Sequence, residues 1–348
     1  MMFPALLIIL IAVLFLPFTV KKVEEQLELF LFAAGLLAVT VTSQWKWLLV
    51  EEALLEPVKI TIAVLTAGLL FREFKPYIDR YVNKAAEFMG LPRFAFLLVF
   101  LLGLLSSVIT AIIAALVLVE VVTHLKLEKK QETHLVILAC FSIGLGAALT
   151  PIGEPLATIA ISKLHESFWF IFIQLWYYII PGMLLLGLLA LLFSGKTLNK
   201  EPGLTEKEKE TFGTILLRTG KVYLFVMALV LLGTGFKPII DEYIKRIPAE
   251  GLYWLNIISA ILDNATLTAA EISPDMSLYQ IKAAILGLII AGGMLIPGNI
   301  PNIIAANKLG IKSKDWAAFG VPVGFALMVL FFLILLLMLK FSASWKKC

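Results

Sequence analysis

Long runs without a charged side chain, among them Leu97–Val119 and Phe319–Leu339, alternate along this chain with short charged patches. A helix that crosses a bilayer needs roughly 20 apolar residues, and several of these runs supply them. Of the 348 residues, 60% are hydrophobic and 16% charged, against about 25% charged in an ordinary soluble domain. So few charges cannot cover a water-facing surface. A soluble enzyme, a nucleic-acid binder and a disordered scaffold are excluded, and an all-α polytopic membrane protein is expected. The net charge of +4 decides little, because placement of Lys and Arg matters more than their sum. Cys140 and Cys348 do not make a disulfide framework or a metal cluster. Met1–Val20 has Lys21 and Lys22 after it and no basic segment before it, so it reads as a retained first helix.

Residues 1–54 are expected to hold N-terminal transmembrane helices, with spans at Met2–Val20 and Leu27–Thr42, followed by a third at Val58–Phe71. Beyond them the chain repeats itself. Phe74-Lys75-Pro76-Tyr77-Ile78-Asp79-Arg80-Tyr81 returns 162 residues later as Phe236-Lys237-Pro238-Ile239-Ile240-Asp241-Glu242-Tyr243, with six identities in eight. Gly153–Leu164 matches Gly298–Leu309 at five of twelve positions without a gap. The two Phe-Lys-Pro segments read as interfacial helices. A first repeat over 55–193 and a second over 218–342 follow, joined by a Lys- and Glu-rich linker at 194–217. Each repeat holds a largely apolar segment that can form a re-entrant hairpin, about 94–123 and about 251–280. Each then holds a helix broken by Pro and Gly, about 135–164 and about 282–309.

Charge placement selects between two topologies. If these apolar segments cross once, the repeats are parallel and the 29 Lys and Arg divide 14 to 15 between the faces. If they return to their own side, the repeats are inverted and the division is 19 to 10. Cytoplasmic loops are enriched in Lys and Arg, so two inverted repeats are expected, with both termini outside and the linker cytoplasmic in a cell membrane. Ser106-Ser107 and Asp263-Asn264 are the expected hairpin tips. Non-helical backbone at membrane depth is tolerated only inside protein or beside a cavity, so both tips should line a site.

Two acids lie inside apolar segments. Asp263 sits in Ser259-Ala260-Ile261-Leu262-Asp263-Asn264-Ala265-Thr266, and Glu154 in Leu149-Thr150-Pro151-Ile152-Gly153-Glu154-Pro155. Intramembrane carboxylates are costly and mark ion pathways; the competing role for each is a helix cap. The counterpart break, Ile296-Pro297-Gly298-Asn299-Ile300-Pro301-Asn302, replaces the acid by Asn299, and the first tip offers Ser106, Ser107 and Thr110. Each half-site would hold one acid, Glu154 facing the hydroxyls and Asp263 facing Asn299 and Asn302. Oxygen clusters of this kind suit sodium. Glu120, Glu271, His124, His134 and His165 read as interfacial, solvated residues. A nucleotide-binding loop is absent from the sequence.

The segments Ser259–Asn264, Leu149–Pro155 and Gly292-Gly293…Pro297-Gly298-Asn299…Asn302 resemble signatures of the ion transporter superfamily, which includes NhaD-type sodium/proton antiporters, arsenite permeases, citrate carriers and sodium–dicarboxylate symporters. The nearest resemblance is to a branch of cation transporters of undefined substrate, over about Val58 to Leu339. It implies the inverted-repeat fold, a homodimer in membrane lipid and elevator-type motion. It also implies sodium-binding roles for Ser106, Ser107, Gly153, Glu154, Asp263, Asn264, Gly298 and Asn299. Many members place Asp or Asn at the first tip, where this chain has Ser106-Ser107.

The expected function is secondary active sodium/proton antiport by alternating access. Sodium is the transported or coupling ion, held at Asp263, Asn264, Glu154 and Asn299. Thr150, Ser259, Thr266 and Asn302 complete the site, and no cofactor or nucleotide is required. Burial favours the neutral form of a carboxylic acid, so protons compete with sodium for one site. The alternative is a sodium-coupled symporter of a small anion, with half-helix N-termini holding the anion. An intramembrane hydrolase using Asp263 and Glu154 gains nothing from a repeat, and a channel would conduct far above carrier turnover.

Overall fold

In the computed structural model, the described residues are 2–58, 61–62, 65–66, 69, 84, 86, 88–125, 127–193, 212–243, 247–262 and 264–345. Among them every regular element is helical. Four helices are long and apolar enough to cross a membrane, over Leu91–Ile109, Phe170–Phe193, Thr219–Pro238 and Ser313–Met338. The chain is thus built as a helical membrane protein.

The N-terminal part comprises α1 (Met2–Thr19), the short α2 (Lys21–Glu25) and α3 (Leu27–Val41), with a further helical stretch at 47–58. Most of the expected span Val58–Phe71, the first Phe-Lys-Pro segment and residues 194–211 of the linker lie outside the described residues. Next come α4 (Leu91–Ile109), α5 (Ala111–His124), α6 (Lys129–Ala147), α7 (Pro155–Leu164) and α8 (Phe170–Phe193). After the linker follow α9 (Phe212–Tyr243), α10 (Ala249–Leu255) with a 3₁₀ turn at Asn256–Ala260, α11 (Asn264–Glu271) and α12 (Leu278–Ala291). A second 3₁₀ turn, Ile296–Gly298, leads to α13 (Ile300–Leu309) and α14 (Ser313–Trp345). The second Phe-Lys-Pro triplet, Phe236–Pro238, lies inside the continuous α9 and opens no interfacial helix of its own.

The relative directions of α4, α5 and α6 follow from their contacts with α8. A β-carbon at Gly103 would meet Met183, and one at Gly187 would meet Phe96, so α4 and α8 run antiparallel. Leu145 lies against Gly182 while His134 lies edge-on to Phe193, so α6 is antiparallel to α8 as well. Helices α4 and α6 are therefore parallel, and α5 returns between them. α9 packs along α3, with Gly235 tight against Ala38 and Gly35 tight against Leu231. Further toward their N-termini, Lys221 in the third turn of α9 pairs with the buried Glu28 in the first turn of α3 at 2.7 Å. One apolar core runs through both halves, with Phe141, Trp316, Tyr253 and Phe331 among its largest buried side chains.

Candidate functional site

Between α6 and α7 the helical hydrogen bonding stops over Ala148–Glu154, and between α12 and α13 it stops over Gly292–Asn299. The chemistry is local: Pro151, Pro155, Pro297 and Pro301 lack the amide proton that a continuing helix requires. The two breaks share one geometry, 145 residues apart. Leu149 N–H to Gly146 O, Gly153 N–H to Thr150 O and Ala157 N–H to Glu154 O recur as Met294 to Ala291, Gly298 to Leu295 and Asn302 to Asn299. The helices that follow are ten residues each, and their N-caps Glu154 and Asn299 have φ/ψ of −152/144° and −153/146°. Both end on a left-handed residue, His165 at φ 55° and Gly310 at φ 61°. Glycine is needed where each break folds back: a β-carbon on Gly153 would lie 2.2 Å from Ala147 O, and one on Gly298 would lie 2.5 Å from Gly292 O.

Each break is tied to the connection between two preceding helices. In the first half, Ala111 N–H donates to Gly153 O at 2.9 Å and the Thr150 hydroxyl donates to Ser107 O. In the second half, a β-carbon on Gly298 would come 2.7 Å from Ser259 O, and one on Gly292 would come 2.7 Å from Asn264 Nδ2. Serines reach from both connections to the broken helices: the Ser106 hydroxyl proton is shared between Gly103 O at 2.7 Å and Ile143 O at 3.0 Å, and Ser259 Oγ donates to Leu288 O at 3.1 Å. Ser259 also contacts Asn264 Oδ1 closely.

The first connection turns at Thr110, with φ 77°, and not at Ser106-Ser107, which belong to the last turns of α4. Thr110 caps α5 by accepting from Ile113 N–H at 3.3 Å. Ser106 and Ser107 direct their hydroxyl protons to carbonyls, Ser107 to Leu104 O at 2.7 Å. Asn302, expected to face Asp263, braces its own break: Nδ2 donates to Gly292 O and Leu295 O, both at 2.8 Å. Asp263 lies outside the described residues, as does the side chain of Thr266, whose backbone belongs to α11.

Glu154 and Asn299 are buried, at 6% and 4% exposure, and neither makes a capping hydrogen bond to its own helix. The simple capping role thus fails for Glu154. Asn299 reaches into the other half, its Nδ2 lying 2.8 Å from where a β-carbon on Gly144 would be. Cross-packing is reciprocal: α13 lies on α5, through Ile300 and Ile304 against Ala115 and Leu116, and α11 lies on α7. The breaks and the start of α11 therefore form a buried polar region with Thr150, Glu154, Ser259, Asn264 and Asn299, and the half-buried Thr110 tip borders it.

Three residues expected in water are buried: Glu120, His124 and Glu271. Helices of the opposite half cover them, a tertiary effect that local sequence does not carry. Glu120 pairs with Lys308 of α13 at 3.3 Å and lies 3.7 Å from His124 Nδ1. Lys129, at the start of α6, donates to Leu309 O at the end of α13 at 2.7 Å. His165 is exposed as expected, while His134 stacks on Phe319 with ring centres 3.9 Å apart. A cleft of about 260 Å³ opens beside the second break, lined by Lys21, Glu28, Lys221, Ile296, Asn307 and Lys312 among others.

Residues 3–338 match the model of a family described as Protein of unknown function (DUF1646). The chain belongs to that family. No curated protein matches it.

Proposed function

We propose that this protein is a secondary active transporter of the ion transporter superfamily type that exchanges sodium for protons by alternating access. Its fold is read as two inverted repeats, about 55–193 with α4–α8 and about 218–342 with α9–α14, each with a re-entrant hairpin and a discontinuous helix. The observation that carries this reading is the contact of Lys129 with Leu309 O and of Glu120 with Lys308. It sets the end of the second broken helix beside the start of the first, so the two run in opposite directions. Parallel repeats would set start beside start. Helix α4 is long enough to cross by itself, yet its tip bonds to Gly153 while α7 continues for ten residues beyond. That supports a hairpin that stops inside the membrane. The reading places Lys21, Lys129, Lys221 and Lys308 on one face, the cytoplasmic one by the positive-inside rule, with both termini outside.

In this mechanism Glu154, with Thr150 and the tip at Thr110, and Asp263, with Asn264, Ser259 and Asn299, supply oxygens for sodium between two broken helices. Discontinuous helices at the midplane are a recurrent way to build such sites. Protonation of the same carboxylates releases the ion, and rocking or sliding of the repeats exposes them to alternate sides. Membrane lipid and a second copy of the chain are the implied partners, and no cofactor is needed. The test replaces both acids isosterically: Asp263→Asn and Glu154→Gln should each fold yet abolish sodium-coupled proton movement in reconstituted vesicles. Normal exchange by both variants would refute the mechanism. The cleft lined by Lys21, Lys221 and Lys312 favours one other reading, sodium-coupled uptake of a small anion entering from the Lys-rich face. Sodium-dependent flux of a labelled carboxylate or oxyanion, lost in Lys312→Gln, would support that reading instead.

A further inference from the structure

Glu271 ends α11 and is 3% exposed. Neither carboxyl oxygen has a hydrogen-bond partner, and no cation pairs with it among the described residues. The carboxamide of Asn256 lies beside it without a hydrogen bond of good geometry. Asn256 is itself fully buried; its Nδ2 donates to Ala284 O at 3.1 Å, and its Oδ1 has no partner. The elements packed on α11 are α7, α9 and α12. The described charged side chains of these elements are Lys163 on α7, Lys221 and Lys237 on α9 and Lys282 on α12, with Glu154 at the N-cap position of α7. Lys237 is exposed and Lys282 donates to Tyr177 Oη at 2.8 Å.

The first hairpin provides the contrast, since its buried acid Glu120 is bridged by Lys308. Glu271 has no such bridge. It also stands at a helix C-terminus, where the backbone dipole disfavours negative charge. An ionised carboxylate without a cation or donor is expensive inside protein, and a leucine would fill the place without that cost. The acid therefore has no evident structural purpose.

We propose that Glu271 is a proton-carrying site of the transport cycle, distinct from the sodium-binding oxygens at the breaks. It holds its proton, directed at Asn256 Oδ1, while α11 is packed as described. It releases that proton to water when the hairpin moves away from α7 and α9, and takes up another from the opposite side. The inference rests on the sodium/proton exchange reading and assigns part of its proton to a second residue.

The experiment compares wild type and Glu271→Gln in vesicles with a trapped pH dye, with sodium-dependent thermal stabilisation in detergent as a parallel measure of ion binding. The expected result is that Glu271→Gln keeps its stabilisation by sodium but loses at least nine-tenths of the sodium-driven pH change. Equal pH changes in both proteins overturn the inference and leave the exchange reading intact. A wild type that moves no protons overturns the exchange reading and this inference with it. If Glu271→Gln does not fold, Glu271→Asp decides: exchange with a displaced pH profile supports the site, and an unchanged profile overturns it.

Discussion

Adding one methyl group at Gly153 should disable the protein, and the size of the effect can be worked out. The new β-carbon would lie 2.2 Å from Ala147 O, 2.7 Å from Ala147 Cα and 2.8 Å from its carbonyl carbon. All three are backbone atoms at the end of α6, so no side chain can swing aside. Relief requires the break to open by about 1 Å, to ordinary contact distance. Gly153 O would then move away from Ala111 N–H, now 2.9 Å away, and the tip would come loose from the break. Overpacking costs about 1–3 kcal/mol, and the lost buried hydrogen bond adds about 1 kcal/mol. Gly153→Ala should therefore lose about 2–4 kcal/mol, seen as a fall of several degrees in unfolding temperature in detergent, with ion flux largely gone. Gly298→Ala should behave alike, because its β-carbon would lie 2.5 Å from Gly292 O and 2.7 Å from Ser259 O. Gly310→Ala is the control, since its β-carbon has nothing within 4 Å and only the left-handed φ of 61° to oppose it. That change should cost about 1 kcal/mol and spare flux. Wild-type stability and flux in Gly153→Ala would show that the break is not packed as described.

Three further changes test other parts of the account. Ser106→Ala and Ser259→Ala each remove one buried hydrogen bond to the adjacent broken helix, so each should cost about 1 kcal/mol and the two losses in unfolding temperature should agree. Asn302→Leu removes two hydrogen bonds inside the second break and leaves Gly292 O and Leu295 O without their donor; a loss of about 2–4 kcal/mol is expected, with flux falling with the population of folded protein. Lys308→Met leaves Glu120 buried without its cation and should cost about 3–5 kcal/mol, most of it recovered in the Lys308→Met/Glu120→Gln double variant, as a double-mutant cycle on thermal stability would show.

Much of the site was legible in the amino-acid sequence because proline and glycine act locally. The breaks after Ala147 and Ala291 follow from Pro151, Pro155, Pro297 and Pro301, and the Gly153–Leu164 repeat located its partner 145 residues on. Asn256 lies three residues before Ser259, on the same side of its turn, and Asn256 and Glu271 are among the polar residues of a largely apolar hairpin segment, a signal that could have marked both. The first tip was less legible: Thr110 takes a φ of 77° that favours glycine or asparagine, so the residue type gives no warning of a turn. Burial of Glu120, His124 and Glu271 was not legible either. It comes from α13 lying on α5 and α11 on α7, contacts between segments 100 or more residues apart in the chain. The long helix α9 runs through Phe236-Lys237-Pro238 without a break, since one isolated proline can be tolerated where surrounding groups satisfy the carbonyl it frees, whereas each break carries two prolines four residues apart.

The central claim is exchange of sodium for protons, and one flux measurement addresses it directly. Purified protein is placed in liposomes with a trapped pH dye, and a sodium gradient directed inward is imposed. Exchange of sodium for protons gives immediate alkalinisation of the lumen, absent when potassium replaces sodium and absent in Asp263→Asn. A lumen that stays at its starting pH while labelled sodium enters would contradict it.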